Sequence, residues 1–159
     1  MKLIFKQRFS WIASYDVYDE AGNTVFFVKG QISWGHLLRI YDGQGRELGH
    51  IKQKLFTWLP TFEMYIGEQY VGCIQKEFSF KPKYKIDCRG WQVQGDVFGW
   101  NYGIFDPMGQ CVATATQKLM NWTDTYVIEV GEPVDALNVL MLVLAIDAEK
   151  GYCFILFYS

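Results

Sequence analysis

The segment 135–147, which reads DALNVLMLVLAID, constrains the fold of this chain more than any other. Between Ala136 and Ile146 every residue except Asn138 is apolar, so the helix predicted here has no polar face. A helix that is hydrophobic on all sides must be buried on all sides, in a membrane or inside a protein. Ten or so apolar residues rise only ~15 Å, about half of the ~30 Å hydrocarbon core of a bilayer. We therefore expect an internal helix and no integral membrane span.

The predicted helix should contribute a large share of the core. Its expected core residues are Leu137, Leu140, Met141, Leu144 and Ile146. The last nine residues of the sequence, GYCFILFYS, are also apolar and strand-like. We expect them to pair with the edge of a sheet or to cap the mouth of the β-barrel that is predicted below.

Length and composition indicate a single packed domain over residues 1–159. Aromatic residues make up 18% of the chain and charged residues 20%, which argues against disorder. A net charge of −2 gives no electrostatic reason to expect a nucleic-acid partner. The first residues, MKLIFKQRFSWIAS, alternate as a strand does and lack the apolar run of a signal peptide, so the expected location is the cytoplasm.

Short strands precede the helix, and several carry the same turn. An alternating strand ends in Asp with a Gly three positions later at Tyr15–Asp19, Leu38–Asp42 and Tyr102–Asp106. Asp bonds its own backbone in such turns, and the Gly accepts a positive φ. A fourth hairpin joins Phe62–Ile66 to Tyr70–Ile74 through Gly67 and Glu68. Further strands are predicted at Lys2–Gln7, Val25–Lys29, Tyr84–Asp87, Trp91–Gly95 and Thr125–Val130.

About twelve antiparallel strands cannot form one open sheet without long exposed edges. Closure into a barrel removes the edges, and a barrel of this size leaves a lumen that its own side chains cannot fill. The predicted fold class is therefore mainly β: a closed antiparallel barrel of about 12 strands enclosing a central hydrophobic C-terminal helix. The alternative is a two-sheet sandwich with the helix across one end, which would give the helix a polar face.

No catalytic or metal motif is recognisable. The four cysteines are 15, 23 and 42 residues apart, so none forms a C-x-x-C pair, and we expect no metal and no cofactor. The acids Asp96, Asp124 and Glu129 are expected to be structural. Asp147 lies at the expected helix C-terminus, where a carboxylate opposes the macrodipole, and we hypothesise an ion pair with Lys118.

The region from Trp91 onward carries a specific set of residues. The matching elements are Trp91-x-Val93-x-Gly95-Asp96-x-Phe98, Tyr102-x-Ile104, Lys118, Trp122-x-Asp124-Thr125-Tyr126-x-Ile128-Glu129-Val130 and the helix from Asp135 to Asp147. This pattern closely resembles the LURP-one-related family of the Tubby C-terminal-like superfamily, with phospholipid scramblases as more distant relatives. The resemblance implies a twelve-stranded barrel around a central hydrophobic helix.

The segment 76–89, KEFSFKPKYKIDCR, is the expected binding surface. It holds five basic residues, Lys76, Lys81, Lys83, Lys85 and Arg89, interleaved with aromatic residues. Basic side chains on an extended strand suit an anionic phospholipid head group or an acidic protein surface. Lysines also guard edge strands against aggregation, which is the simpler interpretation. Tubby proteins bind phosphoinositides, but none of their binding motifs maps onto this chain.

These observations favour a non-enzymatic binding or scaffold domain, cytoplasmic and peripheral at the membrane. One alternative is a scramblase-like, membrane-associated protein that handles lipids. Another is a structural protein that forms homodimers through an exposed aromatic face such as Trp58-Leu59-Pro60. The sequence does not specify the oligomeric state.

Overall fold

The computed structural model describes residues 1–6, 14–33, 35–79, 83–120 and 123–157, with backbone alone at 32–33, 119–120, 123–124 and 150–157. Twelve strands precede a short 3-10 turn (Pro133–Asp135) and one helix, α1 (Ala136–Phe157). The strands are β1 (Lys2–Lys6), β2 (Ser14–Tyr18), β3 (Thr24–Ser33), β4 (Gly35–Asp42), β5 (Glu47–Lys54), β6 (Thr61–Ile66), β7 (Gln69–Lys76), β8 (Tyr84–Asp87), β9 (Gln92–Asp96), β10 (Asn101–Phe105), β11 (Cys111–Met120) and β12 (Thr123–Val130).

All twelve strands belong to one antiparallel sheet. Strands that are adjacent in sequence pair with each other, with one exception in the described part of the chain: no ladder joins β8 to β9. In addition, β1 pairs with β12. The sheet thereby curls into a nearly closed barrel whose two edges are β8 and β9. The predicted fold class, a β-barrel of about 12 strands enclosing a helix, is confirmed, and the sandwich alternative is wrong.

The repeated Asp-x-x-Gly turns form as predicted. One carboxylate oxygen of Asp19 accepts hydrogen bonds from the amides of Ala21 and Asn23, at 2.9 and 2.8 Å. Asp42 and Asp106 repeat this geometry, with all four distances at 2.9 Å. The glycine that follows each Asp by three positions has φ between 80° and 84°. Hydrogen bonds from the side chain and then the backbone of Asn23 stabilise the ionised carboxyl of Asp19, and the backbone amide of Arg46 does so for Asp42, so the pKa values of both lie below the usual range.

Helix α1 fills the barrel. Every residue from Val139 to Ile146 is at most 1% exposed, whichever way its side chain points. Leu140, Met141, Leu144 and Ile146 are therefore the core residues that the sequence predicted, while Leu137 is partly buried at the edge of the core. The surrounding strands turn alternate residues inward against the helix, such as Leu3 and Phe5 of β1.

The helix is longer than the sequence indicated. It was expected to end at Asp147, with a strand-like segment after Gly151, but its backbone stays helical to Phe157. A short apolar run does not distinguish a buried helix from a strand, and Gly151 is tolerated inside the helix. Asp147 thus lies in the middle of α1 and does not oppose the dipole at its C-terminus. Of the helices in the described residues, none is both long and apolar enough to cross a bilayer.

The barrel has two distinct ends, because alternate connections of an antiparallel barrel share an end. We call the end with the tight turns 19–23, 43–46, 67–68, 88–91 and 106–110 the turn end. The opposite end, with the longer connections 55–60 and 77–83 and the connection 97–100, is the loop end. Helix α1 enters at the turn end, directly after β12, and runs towards the loop end.

Candidate functional site

The predicted basic strand lies at one edge of the barrel. Strand β8 alternates as expected: Tyr84 and Ile86 are half-buried, whereas Lys85 and Asp87 are exposed. Lys83, immediately before the strand, is also exposed, and it lies at the loop end. Lys81 lies outside the described residues. Two lysines of the predicted set, Lys83 and Lys85, therefore present their side chains to solvent next to each other.

Lys76 is placed differently. It is the last residue of β7, and its Nζ lies 3.5 Å from Oε1 of Glu149, whose side chain is only 2% exposed. The Tyr84 hydroxyl donates a hydrogen bond to the other oxygen of the same carboxylate at 2.7 Å. Lys76 thus neutralises a buried acid on the central helix at the loop-end mouth of the barrel. Sequence reasoning missed this cluster, since no local pattern connects Lys76 with Glu149.

Arg89 lies at the other end of β8. It occupies a tight turn in which both Arg89 and Gly90 have positive φ, 54° and 70°, and the Trp91 amide donates to the Cys88 carbonyl. Its guanidinium forms an ion pair with Asp135 and lies 5.0 Å from the centroid of the Trp91 ring. The arginine therefore fastens the start of the helix to the β8–β9 turn. The five predicted basic residues do not form one continuous patch.

A cleft of about 540 Å³ opens where β8 and β9 separate. Arg89 and Gly90, the central residues of the turn between β8 and β9, both have the positive φ of a hairpin turn. The two strands nevertheless diverge after this turn and form no ladder. Tyr84 and Ile86 line one wall of the cleft, Trp91 and Val93 line the other, and Lys83 lies at its loop end. The cleft thus places one exposed lysine beside a partly apolar surface.

A second acidic group lies inside the barrel. An Asp147 oxygen accepts a hydrogen bond from the Tyr15 hydroxyl at 3.0 Å, so a neutral donor serves this carboxylate. Burial, with a smaller contribution from the charge of Asp147, raises the pKa of Tyr102 strongly. The predicted partner, Lys118, is exposed on β11. The pairing of Lys118 with Asp147 stays a prediction.

The remaining acids singled out from the sequence occupy ordinary positions. Asp96 accepts a hydrogen bond from the Gly99 amide at 2.9 Å, as expected of a capping residue. Glu129 is exposed on β12, and for Asp124 the structure describes the backbone alone. Across the described residues, no group of three His, Cys, Asp or Glu side chains is arranged to hold a metal ion.

Three aromatic side chains at the loop end are almost fully solvent-exposed. Phe56, Trp58 and Phe78 are 104%, 103% and 96% exposed, and we call them the aromatic rim. Trp58 belongs to the aromatic face that the sequence suggested, and Phe78 is one of the aromatic residues interleaved with the predicted basic segment, but Phe56 was not singled out. No sequence signal separates them from the many buried aromatic residues of this chain.

Comparisons with known proteins agree on one family. The profile of the LURP-one-related family matches residues 1–147. The uncharacterised protein YxjI of Bacillus subtilis (strain 168) is 30% identical over 151 residues, which cover 92% of each chain. No solved structure matches the chain significantly.

Proposed function

The chain belongs to the LURP-one-related family, and from that premise we propose that it is a non-enzymatic domain that binds anionic phospholipid head groups through Lys83 and Lys85. The observation that carries the proposal is the availability of these two lysines. Both are exposed, and neither takes part in any ion pair found among the described residues. By contrast, Lys76 and Arg89 are engaged by acids of the chain itself.

The filled barrel supports binding on the outside. Ligand sites of large barrels usually lie in the lumen. Here the residues Val139–Ile146 occupy the lumen with at most 1% exposure, so a substrate would have no space beside the helix. We expect a small molecule to bind at the surface or in the cleft between β8 and β9, whose lining includes Lys83 and Glu77.

A lipid head group fits the chemistry of this surface. A Lys or Arg near an anionic membrane contributes about 1 kcal/mol of attraction, and this attraction falls off within a Debye length. Two lysines therefore account for weak, reversible and salt-sensitive binding. The proposal places the protein on the cytoplasmic leaflet, which carries the anionic lipids.

Vesicle co-sedimentation tests the proposal. We expect the protein to sediment with vesicles that contain phosphatidylserine, to stay in solution with pure phosphatidylcholine, and to dissociate as salt is added. Removal of both charges in the K83Q/K85Q variant should weaken binding about 30-fold, the equivalent of ~2 kcal/mol. The matched control is K2Q/R46Q, which removes two exposed basic residues far from β8 and should bind normally.

Equal recovery with neutral and anionic vesicles at low salt would overturn the lipid proposal. An acidic protein surface would then be the ligand class to test against the same two lysines. If K83Q/K85Q and K2Q/R46Q weakened binding equally, the attraction would be a general property of the protein and not a property of β8.

A further inference from the structure

The aromatic rim is unusual for a folded domain. Scattered surface leucines are normal, but large aromatic side chains are usually buried because each one removes 150–250 Å² from water. Phe56, Trp58 and Phe78 leave nearly their whole surface in contact with solvent. Exposed apolar clusters of this kind mark surfaces that contact another molecule or a membrane.

The three rings lie on neighbouring loops. Phe56 and Trp58 belong to the β5–β6 connection and Phe78 to the β7–β8 connection. Strand β6 lies between β5 and β7, so Thr61 pairs with Lys54 on one side and with Gln75 on the other. The Lys76 amide, at the end of β7, also donates to the carbonyl of Pro60, the last residue of the β5–β6 connection, at 3.4 Å. The rim is therefore one feature of the loop end.

One of the exposed rings belongs to a residue with a strained backbone. Phe56 has a φ of 60°, in the left-handed region that a bulky residue rarely adopts. Such a residue persists only where the surrounding structure imposes it, and it commonly marks a functional position. The Phe56 ring is fully exposed, so no burial within the chain offsets this strain.

Charge is distributed unequally between the two ends. Nine acidic and three basic residues belong to the connections of the turn end and to the strand ends beside them. The acids are Asp19, Glu20, Asp42, Glu47, Glu68, Asp87, Asp106, Glu132 and Asp135, and the bases are Lys2, Arg46 and Arg89. At the loop end, the described strand ends and connections hold four basic and two acidic residues, and the helix adds Glu149, the buried partner of Lys76. The bases are Lys6, Lys54, Lys76 and Lys83, and the acids of the strand ends and connections are Glu77 and Asp96.

This asymmetry gives the molecule an orientation. An anionic surface would attract the loop end and repel the turn end, so both charge and apolar exposure point the same end towards it. The central helix follows the same direction. Glu149 already contacts the ends of β7 and β8 at the loop-end mouth, and the backbone of α1 continues as helix for eight residues, or about 12 Å, beyond it.

We propose that this protein docks end-on, with the aromatic rim inserted into the interfacial layer of an anionic bilayer and the acidic turn end facing water. The inference rests on the proposed function, because it concerns the same membrane surface, and it adds a separate set of contacts. Lysines then supply the attraction, whereas Phe56, Trp58 and Phe78 supply apolar area buried about 5–10 Å into the head-group and acyl boundary. A bilayer fits better than an apolar protein surface because the lysines border the rings.

The test separates the aromatic contribution from the charged one. The variant F56S/W58S/F78S keeps Lys83 and Lys85, and we expect it to bind phosphatidylserine-containing vesicles about 100-fold more weakly than the unaltered protein. The matched control is M108S/V134S, which removes two exposed apolar side chains, 86% and 82% exposed, from the turn end. It should bind as the unaltered protein does.

A second measurement does not depend on the fold of the triple variant. Brominated acyl chains quench tryptophans that enter the bilayer, so vesicles containing them should quench the unaltered protein. The W58F variant should lose the part of this quenching that Trp58 contributes, and the whole effect should vanish at a salt concentration that dissociates the protein.

The outcomes are distinguishable. Salt-sensitive vesicle binding with equal affinity for the unaltered protein and F56S/W58S/F78S would overturn end-on insertion and leave the lysine proposal standing. Absence of binding to any vesicle would overturn both. If sedimentation without vesicles showed a dimer that the triple variant loses, the aromatic rim would be an interface between copies of the chain, and the inference would be wrong.

Discussion

Replacement of Lys76 by Met should destabilise the protein far more than loss of a surface lysine. The Lys76 Nζ lies 3.5 Å from a Glu149 oxygen, which corresponds to an attraction of about 5 kcal/mol at an effective dielectric constant of ~20. Glu149 is 1% exposed, so the variant leaves its carboxylate buried with no basic partner at the Lys76 position, while the Tyr84 hydroxyl still donates a hydrogen bond to it. Breaking such a pair from one side costs about 3–5 kcal/mol.

The assay is thermal unfolding followed by circular dichroism at neutral pH. For a chain of this length each kcal/mol shifts Tm by about 2–4 °C, so K76M should lower Tm by roughly 6–20 °C. The matched control is K2M, because the Lys2–Glu20 pair is short at 2.9 Å but 43% and 61% exposed. Its loss should cost about 0–1 kcal/mol.

A double variant examines the physical reason. If an uncompensated buried charge causes the loss, K76M/E149L should recover most of it, since apolar replacement of both partners of a buried pair is often neutral. The reasoning is refuted if K76M costs no more than K2M, or if K76M/E149L is less stable than K76M alone.

Two further predictions concern His36 and Asp147. Burial lowers the pKa of His36 below 6.5, so the unfolded state takes up its proton first as pH falls, and stability should be lost as pH drops through about 6.5. Between pH 7.5 and 5.5, the free energy of unfolding measured with urea should fall less for H36Q than for the unaltered protein. An equal fall for both proteins would contradict this prediction. If Lys118 pairs with Asp147, K118M should lower Tm measurably, whereas an unchanged Tm would contradict the pairing.

Much of the fold follows from local chemistry. The absence of a polar residue between Val139 and Ile146 predicted complete burial, and the Asp-x-x-Gly repeat predicted three hairpin turns that the structure contains. Both patterns depend on residues close together in the chain. Strand Tyr84–Asp87 and the end of β12 at Val130 were predicted at their observed positions for the same reason.

The C-terminal end of α1 and the contacts of the candidate site could not be predicted from residues that are close together in the sequence. The apolar segment after Gly151 has no periodicity, so its helical backbone arises from continuation of α1 and not from a local signal. From the sequence, Lys76 and Arg89 were predicted to bind a ligand. Their acidic partners, Glu149 and Asp135, are distant in sequence and come close to them only in the folded barrel. The exposure of Phe56 is likewise a property of the folded loop end.

The most direct test of the internal helix is hydrogen exchange of its amides with and without vesicles. If the helix stays inside the barrel and vesicles contact only its outside, the amides of residues 139–146 should be among the slowest to exchange and should stay so when the protein binds phosphatidylserine-containing vesicles. Protection should increase only at the loop end, in the connections that carry Phe56, Trp58 and Phe78. Loss of protection in the strands around the helix on vesicle binding would show that the helix leaves the barrel, and would contradict the account.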